Sequence, residues 1–429
     1  MNWVNKHKLP AIEAINYDNQ PCLSLDSLWN TFHSSFNTAL HHQVNINILN
    51  EIENKQSSTW APFSKKEFKI TLGTCSNSST PALDKLLWRH LKSILKDEDC
   101  ISSVIKITNA CIDLGYWPNH FKISSMVIIP KPNKPLYNSP KSFYPIVLLN
   151  TIGKLIEKVI GERLQFLVVR NDFIYSSQLE GLKFKLTIDA GITLIHIICS
   201  GWSINCFTST LTFDITQFFP SLNHCFLTRI LHKMGLNNQV VNFFGNYLSD
   251  RKTSYKWNSF SSPIININVR VGQGSALSLI LSALYLSFFL YILEKCLKNL
   301  KIPISIISFV DNRLLISQDK SLDISISYLF CSYNTVTNLL DKFRLVVEHS
   351  KTDVFHFSRL HSLFNPPPLN LSPLGSPILS PKSSWKYQGF IFDRKLTFHQ
   401  HIDFYSNKVL SSVKCMKLLE NLSCGITPI

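Results

Sequence analysis

Hydrophobic and polar positions along this chain change period repeatedly, and each change marks an element. Residues 1–60 are polar and Asn-rich in places (Asn45, Asn47, Asn50), and read as a helical or loosely ordered extension. In Ala61-Pro-Phe-Ser-Lys-Lys-Glu67 a serine stands three positions before a glutamate, the signature of a capped helix start. Residues 86–95 repeat their apolar positions at helical spacing, whereas residues 124–130 form a β-prone run halted by Pro130. The basic turn Lys131-Pro-Asn-Lys134 follows, then an amphipathic helix over residues 152–168 with Lys154, Lys158 and Arg163 on its polar side. Residues 210–213 predict a strand that runs into Asp214, and residues 222–248 are rich in helical pattern. After a hairpin-like region near 257–262, a strand at 304–309 leads to Asp311, and a helix begins near Asp319 and ends near Phe343. Residues 358–384, with Pro366, Pro367, Pro368, Pro373, Pro377 and Pro381, read as loop or edge strand, and residues 385–393 resume a strand. No internal repeat interrupts this order.

One apolar run needs separate treatment. Residues 276–293 carry no charge and approach the ~20 residues that span a bilayer. Three serines and two tyrosines interrupt the run, and Gly272-Gln-Gly-Ser275 leads straight into it. It therefore reads as a core helix, and no membrane segment is expected.

Composition sharpens this picture in two respects. Hydrophobic residues make up 45% of 429 positions, enough for a substantial core in about two or three domains. Charged residues are only 17%, yet Lys and Arg number 43 against 28 Asp and Glu, a net charge of +15. Such a lopsided set fits a basic surface facing a polyanion, most commonly nucleic acid; a basic protein without that partner is the alternative. The N-terminus has no apolar leader core, so no secretory signal is expected. None of the 11 cysteines forms a Cys-x-x-Cys pair, which argues against a zinc ribbon or disulfide framework and fits a reducing compartment. His399 and His401, two apart, suit a strand or turn and read as surface histidines, not metal ligands.

The candidate chemistry lies at Asp214 and Asp311. Each stands at the end of a β-prone stretch, and carboxylates converging from two strands are what a two-metal phosphoryl-transfer site requires. The second site reads Asp311-Asn312 where two adjacent aspartates would be expected. Taken alone, Asp214 would read as a helix N-cap or surface turn.

Five strings occur in order: Phe213-Asp-Ile-Thr-Gln-Phe-Phe-Pro220, Gly272-Gln-Gly-Ser-Ala-Leu277, Phe309-Val-Asp-Asn312, Glu348-His-Ser-Lys-Thr352 and Trp385-Lys-Tyr-Gln-Gly-Phe390. In this order they resemble the reverse transcriptases of non-LTR (LINE-type) retrotransposons, especially those of fungi, from about residue 60 onward. The resemblance implies an α+β right-hand polymerase: an extension at 1–60, fingers at 61–205, palm at 206–395 and the start of a thumb at 396–429. It implies RNA-directed DNA polymerisation on an RNA template and DNA primer, with dNTPs as substrates and two Mg²⁺ or Mn²⁺ ions as cofactors. Asp214 and Asp311 would hold the ions, with the Ile215 backbone and, weakly, Asn312. Lys131 would meet the triphosphate, and Phe219 would act as steric gate against a 2′-hydroxyl, the alternative being a core phenylalanine. Phe218 is the core residue of that pair if neighbours on a strand face opposite ways. Gln273 and Gly274 would pack on the nascent base pair. Lys351 would give a proton to pyrophosphate or be an ordinary solvated lysine. Trp385, Tyr387 and Gly389 would grip the primer. An intron maturase shares the palm but carries a further helical domain after the thumb. The family implies intracellular work, nuclear or cytoplasmic, with a mitochondrial site also open.

Several positions depart from the family pattern. Asn312 replaces aspartate, Tyr144 a triphosphate-clamping arginine, and Gln388 a leucine. Arg270, Arg313, Arg344 and Glu180 stand where glycine is usual, and Leu83 and Leu279 where proline is usual. Arg313 is strained if the catalytic turn needs positive φ. Most of these changes share one mutational direction, which predicts a decayed copy that keeps the fold and loses activity, or a relic that only binds nucleic acid. The chain shows no endonuclease before residue 60 and nothing resembling an RNase H, which fits a truncated copy.

Overall fold

The computed structural model describes residues 15–420 apart from 18–19, 37–43, 52–53, 56–58, 78, 82–83, 133, 135, 180–184, 217, 268–273, 310–311, 360–368 and 371–377. A small hairpin, β1 (Asn16–Tyr17) and β2 (Gln20–Pro21), precedes α1 (Leu25–Phe36). Helices α2 (Lys65–Gly73), α3 (Trp88–Ile94) and α4 (Glu98–Asp113) lead to β3 (Ile123–Pro130), β4 (Phe143–Leu148), α5 (Thr151–Arg170) and α6 (Thr187–Ser203). Next come β5 (Phe207–Asp214), the single turn α7 (Phe218–Ser221), α8 (His224–Lys233), α9 (Asn238–Leu248), β6 (Lys252–Trp257), β7 (Phe260–Ser261), β8 (Ile265–Asn266) and α10 (Ser278–Asn299). The remainder is β9 (Ile304–Phe309), β10 (Asn312–Asp319), α11 (Leu322–Lys342), β11 (Asp353–Phe357), β12 (Leu369–Asn370), β13 (Ile378–Leu379), β14 (Ser384–Tyr387), β15 (Phe390–Asp393) and α12 (His399–Glu420).

The central sheet is antiparallel, in the order β11-β5-β10-β9. Side chains alternate across it, so each strand serves two cores. Leu211, Phe213, Leu315 and Val354 join the large core around α10 and α11. Leu314, Ile316, Phe355 and Phe357 join a second core with α6 and the β14–β15 hairpin, through Leu194, Ile198, Trp385 and Phe392. This double burial explains why β5 reads as a nearly continuous buried run. Helix α10 is the expected core helix. Among the described residues it alone is long and apolar enough to cross a membrane, and 72% of its apolar window is buried in the protein.

The second sheet runs β4-β3-β6-β7, with β8 also on β6. Strands β3 and β6 are parallel, so residues 252–257 extend a sheet begun 129 residues earlier (252 against 123). Helix α1 covers this sheet: Leu28, Trp29, Phe32 and Phe36 pack with Met126, Ile128, Phe143, Tyr255 and Trp257. The extension is therefore a docked helix over residues 25–36.

The capping box at the start of α2 forms as expected: Glu67 N–H donates to Ser64, and Ser64 N–H to the Glu67 carboxylate. Three expectations change. Arg163 does not face solvent on α5; it ion-pairs with Glu67 at 2.6 Å and lies 3.7 Å over the Phe63 ring. Residues 385–393, one strand by their pattern but a strand pair by the resemblance, are a hairpin turning at Gln388 (φ +49°) and Gly389 (φ +89°). A two-residue turn with both φ positive usually announces itself as Asn-Gly or Asp-Gly, and Gln-Gly hides it. His399 and His401 begin α12, where the His401 ring accepts from Ile391 N–H at 3.1 Å and stacks on Phe390.

Candidate active site

Asp214 ends β5, the strand second from one edge of the central sheet, opposite Asn312 in register on β10. Its alternation places it with Thr208, Thr210 and Thr212, on the face away from Phe213. The residue is only 4% exposed. The chain leaving β5 is fastened to residues 346–348: Glu348 N–H donates to the Asp214 carbonyl, and Thr216 N–H to the Val346 carbonyl, each at 2.8 Å. An isolated bridge joins Ile215 and Val347 between them. This pairing brings the Lys351 ammonium onto Asp214 Oδ2 as an ion pair. Glu348 accepts from Ser350 Oγ at 2.7 Å and Thr216 Oγ1 at 3.4 Å. The Ser350 bond, helped by Lys351 and Lys141, holds its carboxyl below the usual carboxylate range.

Asn312 opens β10, exposed and paired with both Asp214 and Phe309. Asp311 lies outside the described residues, as do Gln273, Arg270, Glu180 and Leu83. Among the described residues no group of three or more His, Cys, Asp and Glu converges as a metal site. The donors that are described, the Asp214 carboxylate and the Asn312 amide, carry the hard oxygens that Mg²⁺ and Mn²⁺ prefer. A cation, the Lys351 ammonium, already rests against the carboxylate. The chemistry of this edge therefore suits a divalent ion.

Arg313 is the departure that the structure corrects. It sits within β10 opposite Phe213 and is not among the positive-φ residues, so its backbone carries none of the expected strain. Its side chain is fully buried, with the guanidinium 5.0 Å from the Phe218 ring. Arg344 does adopt positive φ, +53°, just past the end of α11, which explains why glycine would suit that position.

Lys131 follows β3. Its N–H donates to the Ser142 carbonyl, its ammonium donates to the Lys141 carbonyl at 2.9 Å and stands 4.9 Å over the Tyr144 ring. Burial lowers the Lys131 pKa first, Lys134 and Lys351 lower it further, and Glu348 and Asp214 oppose them. These electrostatic neighbours place the β3–β4 turn across from the end of β5. Tyr144 lacks an arginine's charge but supplies a π face to the lysine.

Phe219 lies in the one-turn helix α7, so helical geometry, not strand alternation, separates it from buried Phe218. Partly exposed, it lines a cavity of about 600 Å³ with Gly274, Ser275, Leu279, Lys154 and Lys158. Gly274 has φ +123°, and a Cβ there would meet the Val147 carbonyl oxygen at 2.6 Å. Only glycine fits that approach.

Trp385 and Tyr387 do not reach outward. They are 2% and 4% exposed and stack at 5.0 Å, with Trp385 stacked in turn on Phe355. They fix the hairpin to β11, and its turn carries Gly389, exposed, whose carbonyl accepts from Tyr405 Oη at 2.9 Å. One residue of the site escaped notice in the sequence: Glu348 stood in plain view within its string.

An antiparallel sheet with a carboxylate at a strand end, helices beneath it, and a second sheet bringing a lysine towards it define an α+β right-hand polymerase. The chain belongs to the reverse transcriptase (RNA-dependent DNA polymerase) family, which it matches over residues 129–392, more than half its length. Similar curated proteins are the probable RNA-directed DNA polymerase from transposon X-element of Drosophila melanogaster and that from transposon BS of the same organism. The first is 23% identical over 352 residues, 80% of this chain and 36% of that protein. The second is 22% identical over 405 residues, 92% of this chain and 43% of that protein. The chain thus spans less than half the length of either. The solved apo telomerase from Candida tropicalis, truncated from its C-terminal domain, aligns over 66% of this chain and 55% of its own. Its TM-score of 0.43 and 14% identity are too slight to add to the assignment.

Proposed function

We propose that this chain is the RNA-directed DNA polymerase domain of a non-LTR retroelement, adding deoxynucleotides to a DNA primer on an RNA template. The observation that carries the reading is Asp214 at the end of β5, fastened by residues 346–348, ion-paired to Lys351 and within the electrostatic reach of Lys131. Fingers at 61–205, palm at 206–395 and a thumb from 396 are part of the proposal, with β6 adding to the fingers sheet. Intracellular work, nuclear, cytoplasmic or mitochondrial, is proposed from the family.

Asp214 and Asp311, with the Ile215 carbonyl and the weaker Asn312, would hold two Mg²⁺ or Mn²⁺ ions. Bound there, such ions lower the pKa of the primer 3′-hydroxyl and offset the charge of the leaving pyrophosphate. Lys131 binds the triphosphate as a point charge, and Tyr144 beside it adds no second cation. Phe219 closes the space a 2′-hydroxyl would need, and Gly274 lets the backbone approach the new base pair. Lys351, whose side chain is 63% exposed, protonates the pyrophosphate once it leaves Asp214.

Asn312 keeps an oxygen donor but loses a charge, so the second ion is held more weakly. Together with Tyr144, this marks a copy of the fungal kind that is decaying after selection lapsed and turns over slowly. The test is primer extension on an RNA template with Mg²⁺ or Mn²⁺. Slow incorporation of dNTPs and none of rNTPs is the expected result. Salt-sensitive RNA binding without any extension, even after Asn312→Asp, would overturn the polymerase reading in favour of a nucleic-acid-binding relic.

A further inference from the structure

Helix α5 carries an ionisable group that this mechanism leaves unused. Glu157 is 1% exposed, on a helix whose neighbouring buried positions are Leu155, Ile156, Val159 and Ile160. Its Oε1 accepts from Tyr247 Oη at 2.9 Å and its Oε2 from Ser275 Oγ at 2.7 Å. Burial raises the pKa of this carboxyl, and the Arg251 charge and the Ser275 and Tyr247 hydroxyls oppose that rise. Arg251 is itself 5% exposed, donating to the Tyr247 carbonyl at 3.0 Å. Ser275 Oγ further accepts from Leu277 N–H at 3.1 Å.

A carboxylate buried among aliphatic residues costs stability unless it is paired and fully hydrogen-bonded. An apolar side chain would build α5 equally well. What the carboxylate adds is a hold on the turn at 274–276, which enters α10 and lines the Phe219 cavity. That turn is fixed on its other side by β4, where the Val147 carbonyl leaves no room for a Cβ on Gly274. The turn is thus held between a strand carbonyl and a helix carboxylate, both outside it.

We infer that Glu157 is a positioning residue: through Ser275 Oγ it sets the 274–276 turn against the Phe219 cavity and thereby the affinity for the incoming deoxynucleotide. This rests on the polymerase reading above. A carboxylate serving only the fold would affect melting but not the nucleotide.

The experiment compares the full chain with Ser275→Ala, Ser275→Thr and Glu157→Gln, reading amide hydrogen exchange at 275–278, dNTP KM and kcat in primer extension, and equilibrium binding of a fluorescent dNTP. Glu157→Ala is avoided because it leaves Arg251 buried beside no anion. Ser275→Ala is expected to raise KM roughly tenfold with kcat within about twofold, and to speed exchange at Leu277 by a similar factor, the size of one lost hydrogen bond. Ser275→Thr, which keeps the hydroxyl, restores both, and Glu157→Gln, which keeps one acceptor, falls between. Faster exchange with unchanged KM and dNTP binding would reduce the contact to a structural one and overturn the inference, as would unchanged exchange in all variants. A parent that extends no primer even after Asn312→Asp overturns the proposed function instead; dNTP binding and exchange then still decide whether Glu157 acts on the nucleotide.

Discussion

The rim of the candidate site and the packing beneath the central sheet differ in what a substitution there would cost. On the rim, Asn312 on β10 of the central sheet and Tyr144 on β4 of the second sheet are exposed; under the proposed function each stands where a charge is expected. Beneath it, Trp385, Phe355, Phe357 and Phe392 form a continuous aromatic cluster of stacked, tilted and edge-on rings between β11 and the β14–β15 hairpin. A lost charge at the rim breaks no packed contact, so the fold has no reason to resist it. A lost ring below would open a cavity. Arg313 is a charged residue within the core itself, on β10 with its guanidinium 5.0 Å from the Phe218 ring.

Five measurements break or sharpen that contrast. Asp214→Ala should lower the extension rate ~1,000-fold or more, several kcal/mol of transition-state stabilisation, while melting stays near that of the parent. A parallel collapse of melting would show that Asp214 belongs to the core. Trp385→Ala should do the reverse, costing about 3–5 kcal/mol in denaturant unfolding because the aromatic stack cannot close the gap.

Acid should attack the lower region before the rim. His356, 3% exposed on β11 and bonded to Ser209 Oγ at 2.8 Å, is pushed down to about 4 by burial. Its folded pKa lies below the unfolded 6.5, so the unfolded chain binds the extra proton between these values. Stability is thus complete above pH 6.5 and falls as pH drops towards 4, by ~3 kcal/mol in all. Melting followed across that range should flatten in His356→Gln; an unchanged slope would assign the acid sensitivity elsewhere.

Asn312→Asp should raise the extension rate ~10-fold or more with melting unchanged, since it restores charge to an exposed position. No gain would move the limiting lesion to Tyr144. The smallest effect is expected at the hairpin turn. Gln388 holds φ +49°, and its side-chain amide nitrogen is buried without a hydrogen-bond partner. Gln388→Asn should stabilise by about 0.5–1 kcal/mol without altering rate.

Much of this architecture was legible in the chain. Periodicity marked α5, α10, β3, β5 and β9, because each element meets one or two apolar surfaces along its whole length. The Ser64 and Glu67 pair announced α2 through chemistry local to one helical turn. The reading failed where geometry depends on a distant partner. Nothing in the string around Trp385 and Tyr387 shows that both rings are core, which only the approach of β11 decides. Arg163 looked solvated until Glu67, nearly a hundred residues earlier, came within an ion-pair distance of 2.6 Å.

By itself the sequence determined the order of motifs, the basic balance of +15 and the identity of the groups available for chemistry. These are local properties, written in short strings and in composition. Tertiary structure alone decided that Asn312 stands opposite Asp214, that residues 346–348 fasten the end of β5, and that Glu157 reaches Ser275. Each of those contacts joins residues far apart in the chain, and register and burial are settled by the packing of whole elements, which no short string encodes.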